Sequence, residues 1–191
     1  MSTTVTLVTV EEFAKFADRP ENVDRFFELD EGEIVELSRP QLVHGLVCAV
    51  LVQILRNYAA RRENLQVCSN DAGVILSRDP GTVRGPDVFV FESEQSLAEL
   101  MNRTGWLETP PLLVVEVLSP SNTHGEISRK VSQYLASGVR LVWVIDPQGR
   151  ELTSHRAGTA PDVFGAESEA RFPELPDLCV RVAEFFGGLP E

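Results

Sequence analysis

The chain holds three cysteines, Cys48, Cys68 and Cys179, and no two stand at CxxC spacing. An odd, scattered set in apolar or strand-like surroundings excludes a disulfide framework and gives no reason to expect a zinc site; free thiols fit a reducing cytoplasm. No apolar stretch reaches the ~18 residues of a membrane span, and the longest, around 46–55, is interrupted by Gln53. Met1-Ser2-Thr3-Thr4-Val5-Thr6 lacks the basic region and apolar core of a secretory signal. The cytoplasm is the expected location. Positive charge is scarce: the net charge is −12. That excludes a protein that coats nucleic acid non-specifically, which needs Lys and Arg to neutralise phosphates. It leaves room for a nuclease, whose acids can be metal ligands and whose basic groove can be local. Lysine is almost missing, with 15 arginines against Lys15 and Lys130 alone. Two Trp and two Tyr, mostly inside apolar runs, are too few to line a glycosidase cleft. Gly-rich phosphate loops and GxSxG are absent, so Ser119 and Ser121 read as turn and cap residues.

What the chain does have is acid in apolar company. Asp87 follows Gly85-Pro86 and opens the run Val88-Phe89-Val90-Phe91, and Glu116 sits in the middle of Leu112-Leu113-Val114-Val115-Glu116-Val117-Leu118. Short β-branched and large apolar runs bounded by Gly, Pro and Ser mark strands covered on both faces. An unpaired carboxylate there costs several kcal/mol or loses its charge, unless a cation or a full set of donors meets it. Two of them on neighbouring core strands point to a divalent metal held by oxygen ligands. Lys130 follows Glu116 by 14 positions, inside a helical pattern. Where Arg is used elsewhere, a kept Lys suits a task that needs a compact ammonium. Asp, then Glu on the next core strand, then Lys is the set of a metal-dependent phosphodiesterase.

Local signals supply the frame. Thr9-Val10-Glu11-Glu12 before Phe13 and Phe16 predicts a capped short helix that Pro20 ends. Segments 25–29 and 33–37 flank Asp30-Glu31-Gly32 and predict a β-hairpin. Helical spacing of Val43, Leu46, Val47, Val50, Leu51, Ile54, Leu55 and Tyr58 predicts a long helix over 41–62. Strands follow at 66–69 and 74–77, joined by a turn at Asn70-Asp71. Next come a loop over 79–86, a strand at 87–91 and a short helix or irregular insertion at 96–102. A strand at 112–118 precedes a helix near 125–137 that Gly138 ends. Strands at 141–145, 151–156, 168–172 and 178–182 and a turn at 184–186 complete the sheet. Trp143, Tyr134 and Phe89 are expected in the core. With no linker or repeat, residues 1–191 read as one α+β domain, a mixed central sheet flanked by helices, with an N-terminal helix and hairpin.

These residues resemble the restriction-endonuclease-like superfamily, whose pattern is Pro-Asp, a gap, then Asp or Glu-x-Lys. More closely, the chain resembles the Uma-type putative restriction endonucleases over nearly its whole length. The likeness is carried by Phe27-Glu28-Leu29, Gly32-Glu33-Ile34-Val35, His44, Gly85-Pro86-Asp87 and Val115-Glu116-Val117-Leu118-Ser119-Pro120-Ser121. It continues through Lys130, Tyr134, Gly138-Val139, Val142-Trp143-Val144-Ile145-Asp146-Pro147 and Leu175-Pro176-Asp177-Leu178. Glu116-Val117-Leu118 has Leu where the superfamily lysine stands; in the Uma-type pattern the lysine has moved to the following helix, where Lys130 matches.

The resemblance implies a restriction-endonuclease-like fold and roles for phosphodiester hydrolysis in DNA. Asp87 and Glu116 would hold Mg²⁺ or Mn²⁺, with the Val117 carbonyl as a third oxygen. Lys130 would orient the nucleophile and counter developing negative charge. Glu28 would complete or approach the metal shell, and His44 would contact a phosphate or tune Glu28. Arg84, just before Asp87, is the expected phosphate contact, ahead of Arg56, Arg61 and Arg62. A homodimer is expected, because cutting a duplex takes two active sites or two visits. The competing reading is a nuclease-like fold acting as a nucleic-acid-binding or regulatory module with weak or no cleavage, which the charge of −12 favours.

Overall fold

The computed structural model describes residues 7–102, 105–187 and 189; the N-terminal residues read above for a signal lie outside these. Thr9 caps α1 (Val10–Ala17): its side chain accepts from the Glu12 amide while Glu12 accepts from the Thr9 amide. Val10 and Phe13, three apart, form the buried face of α1. The hairpin forms as β1 (Phe26–Asp30) and β2 (Glu33–Leu37). The long helix is α2 (Leu42–Ala59).

The chain then runs β3 (Leu65–Ser69), β4 (Val74–Arg78), β5 (Gly81–Arg84), β6 (Val88–Glu92) and α3 (Leu97–Met101). It continues with β7 (Leu113–Val117), α4 (His124–Ala136), β8 (Leu141–Asp146), β9 (Glu151–His155) and β10 (Asp162–Gly165). It ends with β11 (Glu169–Phe172), β12 (Leu175–Arg181) and a 3-10 turn, Val182–Phe186. Gly138, at φ +100°, closes α4 in the left-handed region that only glycine enters cheaply.

β3 and β4 form as expected on either side of Asn70 and Asp71, both at positive φ, and lie in different sheets: β3 pairs with β6 and β4 with β5. Residues 81–84 are a strand, not a loop. Gly81-Thr82-Val83-Arg84 carries one large apolar residue and no alternation, so nothing local marks it; its burial comes from lying between β1 and β4. β10 was also missed, because its only apolar pair, Val163-Phe164, lies between turn residues.

The main sheet has order β10-β9-β8-β7-β6-β3, antiparallel except for β7 and β8, which are parallel and joined by α4. A second sheet, β2-β1-β5-β4, is antiparallel. One core packs Leu113, Val115 and Val117 of β7 with Val47, Leu51 and Leu55 of α2; on the other face Val114, Phe89 and Val142 meet Val131 and Tyr134 of α4. β7 is therefore covered on both faces, which is why its sequence runs apolar without alternation.

Gln53 does not break α2. Its 18 residues have a mean hydropathy of 1.5, enough by length and composition to cross a membrane. Its buried residues nonetheless pack into the protein's own core. Leu42, Val43 and Leu46 stay 80%, 46% and 47% exposed.

Candidate functional site

Strand alternation aims Glu116. It lies two residues beyond Val114 and so shares the face of β7 that α4 covers. Lys130 and Tyr134 are four apart on α4 and share the helix face turned to it. The Tyr134 hydroxyl donates to Glu116 Oε1 at 2.5 Å, and Lys130 Nζ stands 3.4 Å from Oε2. Tyr134 is core, as expected, and also holds a site carboxylate.

The second sheet brings Glu28 to the same ammonium. Leu29 pairs with Val83, so Glu28 and Arg84 are cross-strand neighbours on β1 and β5. Arg84 Nη1 donates to Glu28 Oε2 at 2.7 Å. Glu28 Oε1 accepts from the Gly85 amide at 3.1 Å and from Lys130 at 3.0 Å. Glu28 thus reaches the site through Lys130, with both its oxygens occupied. Arg84 also meets Asp30 at 2.8 Å and donates to Gln133 Oε1 at 2.9 and 2.6 Å. With its side chain 5% exposed and its donors taken, Arg84 is not open to a phosphate as expected; it lies close to the site but locks two strands to α4.

Asp87 precedes β6. Its Oδ2 accepts from the Val117 amide at 2.6 Å, and its Oδ1 meets His44 Nε2 at 3.1 Å. His44, from the first turn of α2, therefore partners Asp87 rather than Glu28. The register Val88↔Val115, continued two residues out, sets Val117 opposite Pro86, which has no N–H. The ladder then offers no donor on that side to the Val117 carbonyl. Gly85 is required by close approach: a Cβ there would lie 2.9 Å from the Asp71 carbonyl oxygen. Asp71, read from sequence as a turn residue, is a site residue that was missed. Gln133 and Asp30 were missed too; the signals were the i, i+2 pair Glu28-x-Asp30 on a strand and the run Arg129-Lys130 to Gln133-Tyr134 on a helix.

The site has more negative charge than its cations comfortably hold. Burial pushes the Glu116 carboxyl up, and the charges of Asp87 and Glu28 push the same way against Lys130. Burial and the charge of Asp87 push Asp71 up to about 6. Burial alone would lower Lys130, but Glu116 and Glu28 outweigh it and keep the ammonium charged. These features fit a hard divalent ion: carboxylate oxygens of Asp87 and Glu116, a carbonyl at Val117 and surplus negative charge.

His44 is raised from 6.5 to about 10, first by its hydrogen bond to Asp87, then by the one to Cys48. A raised histidine stabilises fully below 6.5 and loses that contribution as pH climbs to 10. The expected result for metal-free protein is a fall in thermal stability across that window. His44→Gln should cost about 1–2 kcal/mol at pH 6, allowing for partial screening, and flatten the fall. Melting curves from pH 6 to 10 check it; an unchanged slope in His44→Gln would refute the ion pair. Asp71 acts in a different window, between 3.8 and about 6, where its raised value also loses stability with rising pH.

Beside the site lies a cavity of about 780 Å³ between the start of α2, the 118–123 loop, α4 and strands β8 and β9. His44, His124 and His155, all three histidines of the chain, line it; no Arg or Lys does.

Comparison with known proteins gives the family and the fold. The family described as Uma2, putative restriction endonuclease, matches residues 10–183. The crystal structure of a putative nuclease belonging to DUF820 from Anabaena variabilis superposes with a TM-score of 0.77 at 18% identity, covering 94% of this chain and 97% of that one. At that identity the likeness establishes the fold. No curated protein matches this chain.

Proposed function

The chain belongs to the Uma2 putative restriction endonuclease family and is nuclease-like, and from that premise we propose that it hydrolyses phosphodiester bonds in DNA with Mg²⁺ or Mn²⁺. The observation that carries this is Lys130 reaching from α4 to Glu116 and Glu28, beside the Asp87 that the Val117 amide anchors. Asp87 and Glu116 are the proposed ligands, with the Val117 carbonyl. When bound, the ion polarises the phosphoryl oxygen and lowers the pKa of water. Lys130, kept charged, orients the attacking water and counters charge growing on the phosphoryl group. Tyr134 and Glu28 hold Glu116 and Lys130 in position, and His44 fixes the second oxygen of Asp87.

Calorimetry should detect Mn²⁺ binding that weakens at least tenfold in Asp87→Ala and in Glu116→Ala, in the range expected for loss of a ligand or its support. Supercoiled plasmid should be cut with Mn²⁺ by the natural chain and not by Glu116→Ala. Unchanged Mn²⁺ affinity in both variants would sink the site. One observation favours a second reading, a binding or regulatory module with weak or no cleavage: the cavity beside the site has Asp146 and Glu151 in its wall and no Arg or Lys. Metal binding without plasmid cutting would select it.

A homodimer and a cytoplasmic location are part of the proposal. Three free cysteines suit a reducing compartment. The residues from Pro40 to Leu55 include no Asp, Glu, Lys or Arg, in a chain of net −12. The exposed Leu42, Val43 and Leu46 within that stretch make a surface where two copies approach without repulsion. Light scattering at micromolar concentration should report a dimer, and Leu46→Glu should convert it to monomer; a monomeric natural chain would overturn this part.

A further inference from the structure

We propose that His44, Cys48 and Asp87 form a second metal locus that takes a thiophilic divalent ion such as Zn²⁺, sharing Asp87 with the proposed Mg²⁺ or Mn²⁺ site. The sharing rests on the function proposed above; the locus itself does not. The absence of CxxC left no reason to expect zinc, but His44 and Cys48 are four apart and stand on one face of α2. Asp87 enters from the start of β6. One ligand atom from each of the three lies within 4.8 Å of the others. Cys48 Sγ is 3.6 Å from His44 Nδ1, and Asp87 Oδ1 is 3.1 Å from Nε2.

A tetrahedral zinc with bonds of about 2.3 Å to sulfur and 2.0 Å to nitrogen sets those two ligands roughly 3.5 Å apart. The His–Cys spacing already meets this. The adjustment needed is a turn of the imidazole, so that one ring nitrogen serves the ion while Asp87 supplies Oδ1. Asp87 is held for that role, because its other oxygen is fixed by the Val117 amide. A set of imidazole, thiolate and carboxylate selects zinc-like ions, whereas the all-oxygen set of Asp87, Glu116 and Val117 selects magnesium-like ones. His44 lines the 780 Å³ cavity, which provides entry and a water for the remaining position. On binding, the ion displaces the thiol and imidazole protons to solvent. A filled locus engages Asp87 Oδ1 and withdraws it from the neighbouring site.

The test is a Co²⁺ titration of chelator-stripped protein, read by thiolate-to-cobalt charge transfer in the near ultraviolet. The band should appear in the natural chain, persist in Glu116→Ala and vanish on adding Zn²⁺. It should be missing in both Cys48→Ser and Cys48→Ala, either of which suffices if the other does not fold. No band in the natural chain, or a band that survives in the Cys48 variants and so comes from Cys68 or Cys179, overturns the locus. Prior Zn²⁺ should weaken Mn²⁺ binding at least tenfold; equal Mn²⁺ affinity with and without Zn²⁺ overturns the sharing of Asp87. Mn²⁺ calorimetry on the natural chain and Glu116→Ala judges the proposed nuclease site separately. A cobalt band without Mn²⁺ binding would remove that reading and keep this locus.

Discussion

Lys130→Ala is expected to abolish Mn²⁺-supported plasmid cleavage, by on the order of 10²–10³-fold or more, the range for removing one preorganised group from a developing oxyanion. Mn²⁺ binding should persist, because the proposed ligands are oxygens of Asp87, Glu116 and Val117. The same substitution should destabilise the metal-free protein. Among the described residues, Lys130 is the cation in contact with Glu116, and it also meets Glu28, which is 1% exposed. Removing one partner of a buried pair costs about 3–5 kcal/mol. Part of that loss should disappear when Mn²⁺ is added, since the ion returns positive charge to the same carboxylates. Lys130→Arg should recover stability more than rate, because a planar guanidinium does not occupy the place of a compact ammonium. Cleavage by Lys130→Ala within tenfold of the natural rate would remove Lys130 from the chemistry.

Arg84→Met should lose as much stability as Lys130→Ala. Its guanidinium answers Glu28, Asp30 and Gln133 from inside the protein, where burial would otherwise lower its charge preference and the two acids restore it. Asp30 is held below its usual value: burial pushes it up, and Gln133, Arg84 and Arg129 outweigh that push. Without Arg84, two carboxylates lose a cation at once. The expected cost is about 3–5 kcal/mol, or roughly 10 °C in melting temperature at 2–4 °C per kcal/mol for a chain of this size. The double variant Arg84→Met, Glu28→Gln should recover part of it, because the neutral amide no longer needs the partner. A surface phosphate contact behaves differently: its loss lowers the salt dependence of DNA binding and leaves melting unchanged. That second pattern would return Arg84 to the role expected from sequence.

Lys130 and Arg84 also show where sequence reading stopped. Lys130 was legible because only two lysines exist and one follows a buried Glu in a helical pattern. The burial of Arg84 was not legible because residues 81–84 carry no strand signal of their own. A strand buried by its neighbours need not alternate, and a guanidinium beside Asp87 reads equally well as a free hand or a clasped one. Asp71 was unreadable for a related reason. Its left-handed turn looks like any connection, and only the meeting of β3 with one sheet and β4 with another carries its carboxyl to the site.

What the sequence determined by itself follows from short-range physics. Apolar periodicity placed α2, α4 and the core strands within a few residues. Capping chemistry placed the start of α1. The cost of burying charge marked Asp87 and Glu116. The tertiary structure alone decided which charges meet. Glu28 and Arg84 lie 56 positions apart, and Lys130 and Glu28 102 positions apart. Their pairing depends on the register of β1 against β5 and on the rotation of α4 over the sheet. The side chain of His44 likewise chose Asp87 over Glu28 because α2 starts beside β6. Ion pairs between positions far apart in the chain gain their strength from placement in three dimensions, which the local sequence does not encode.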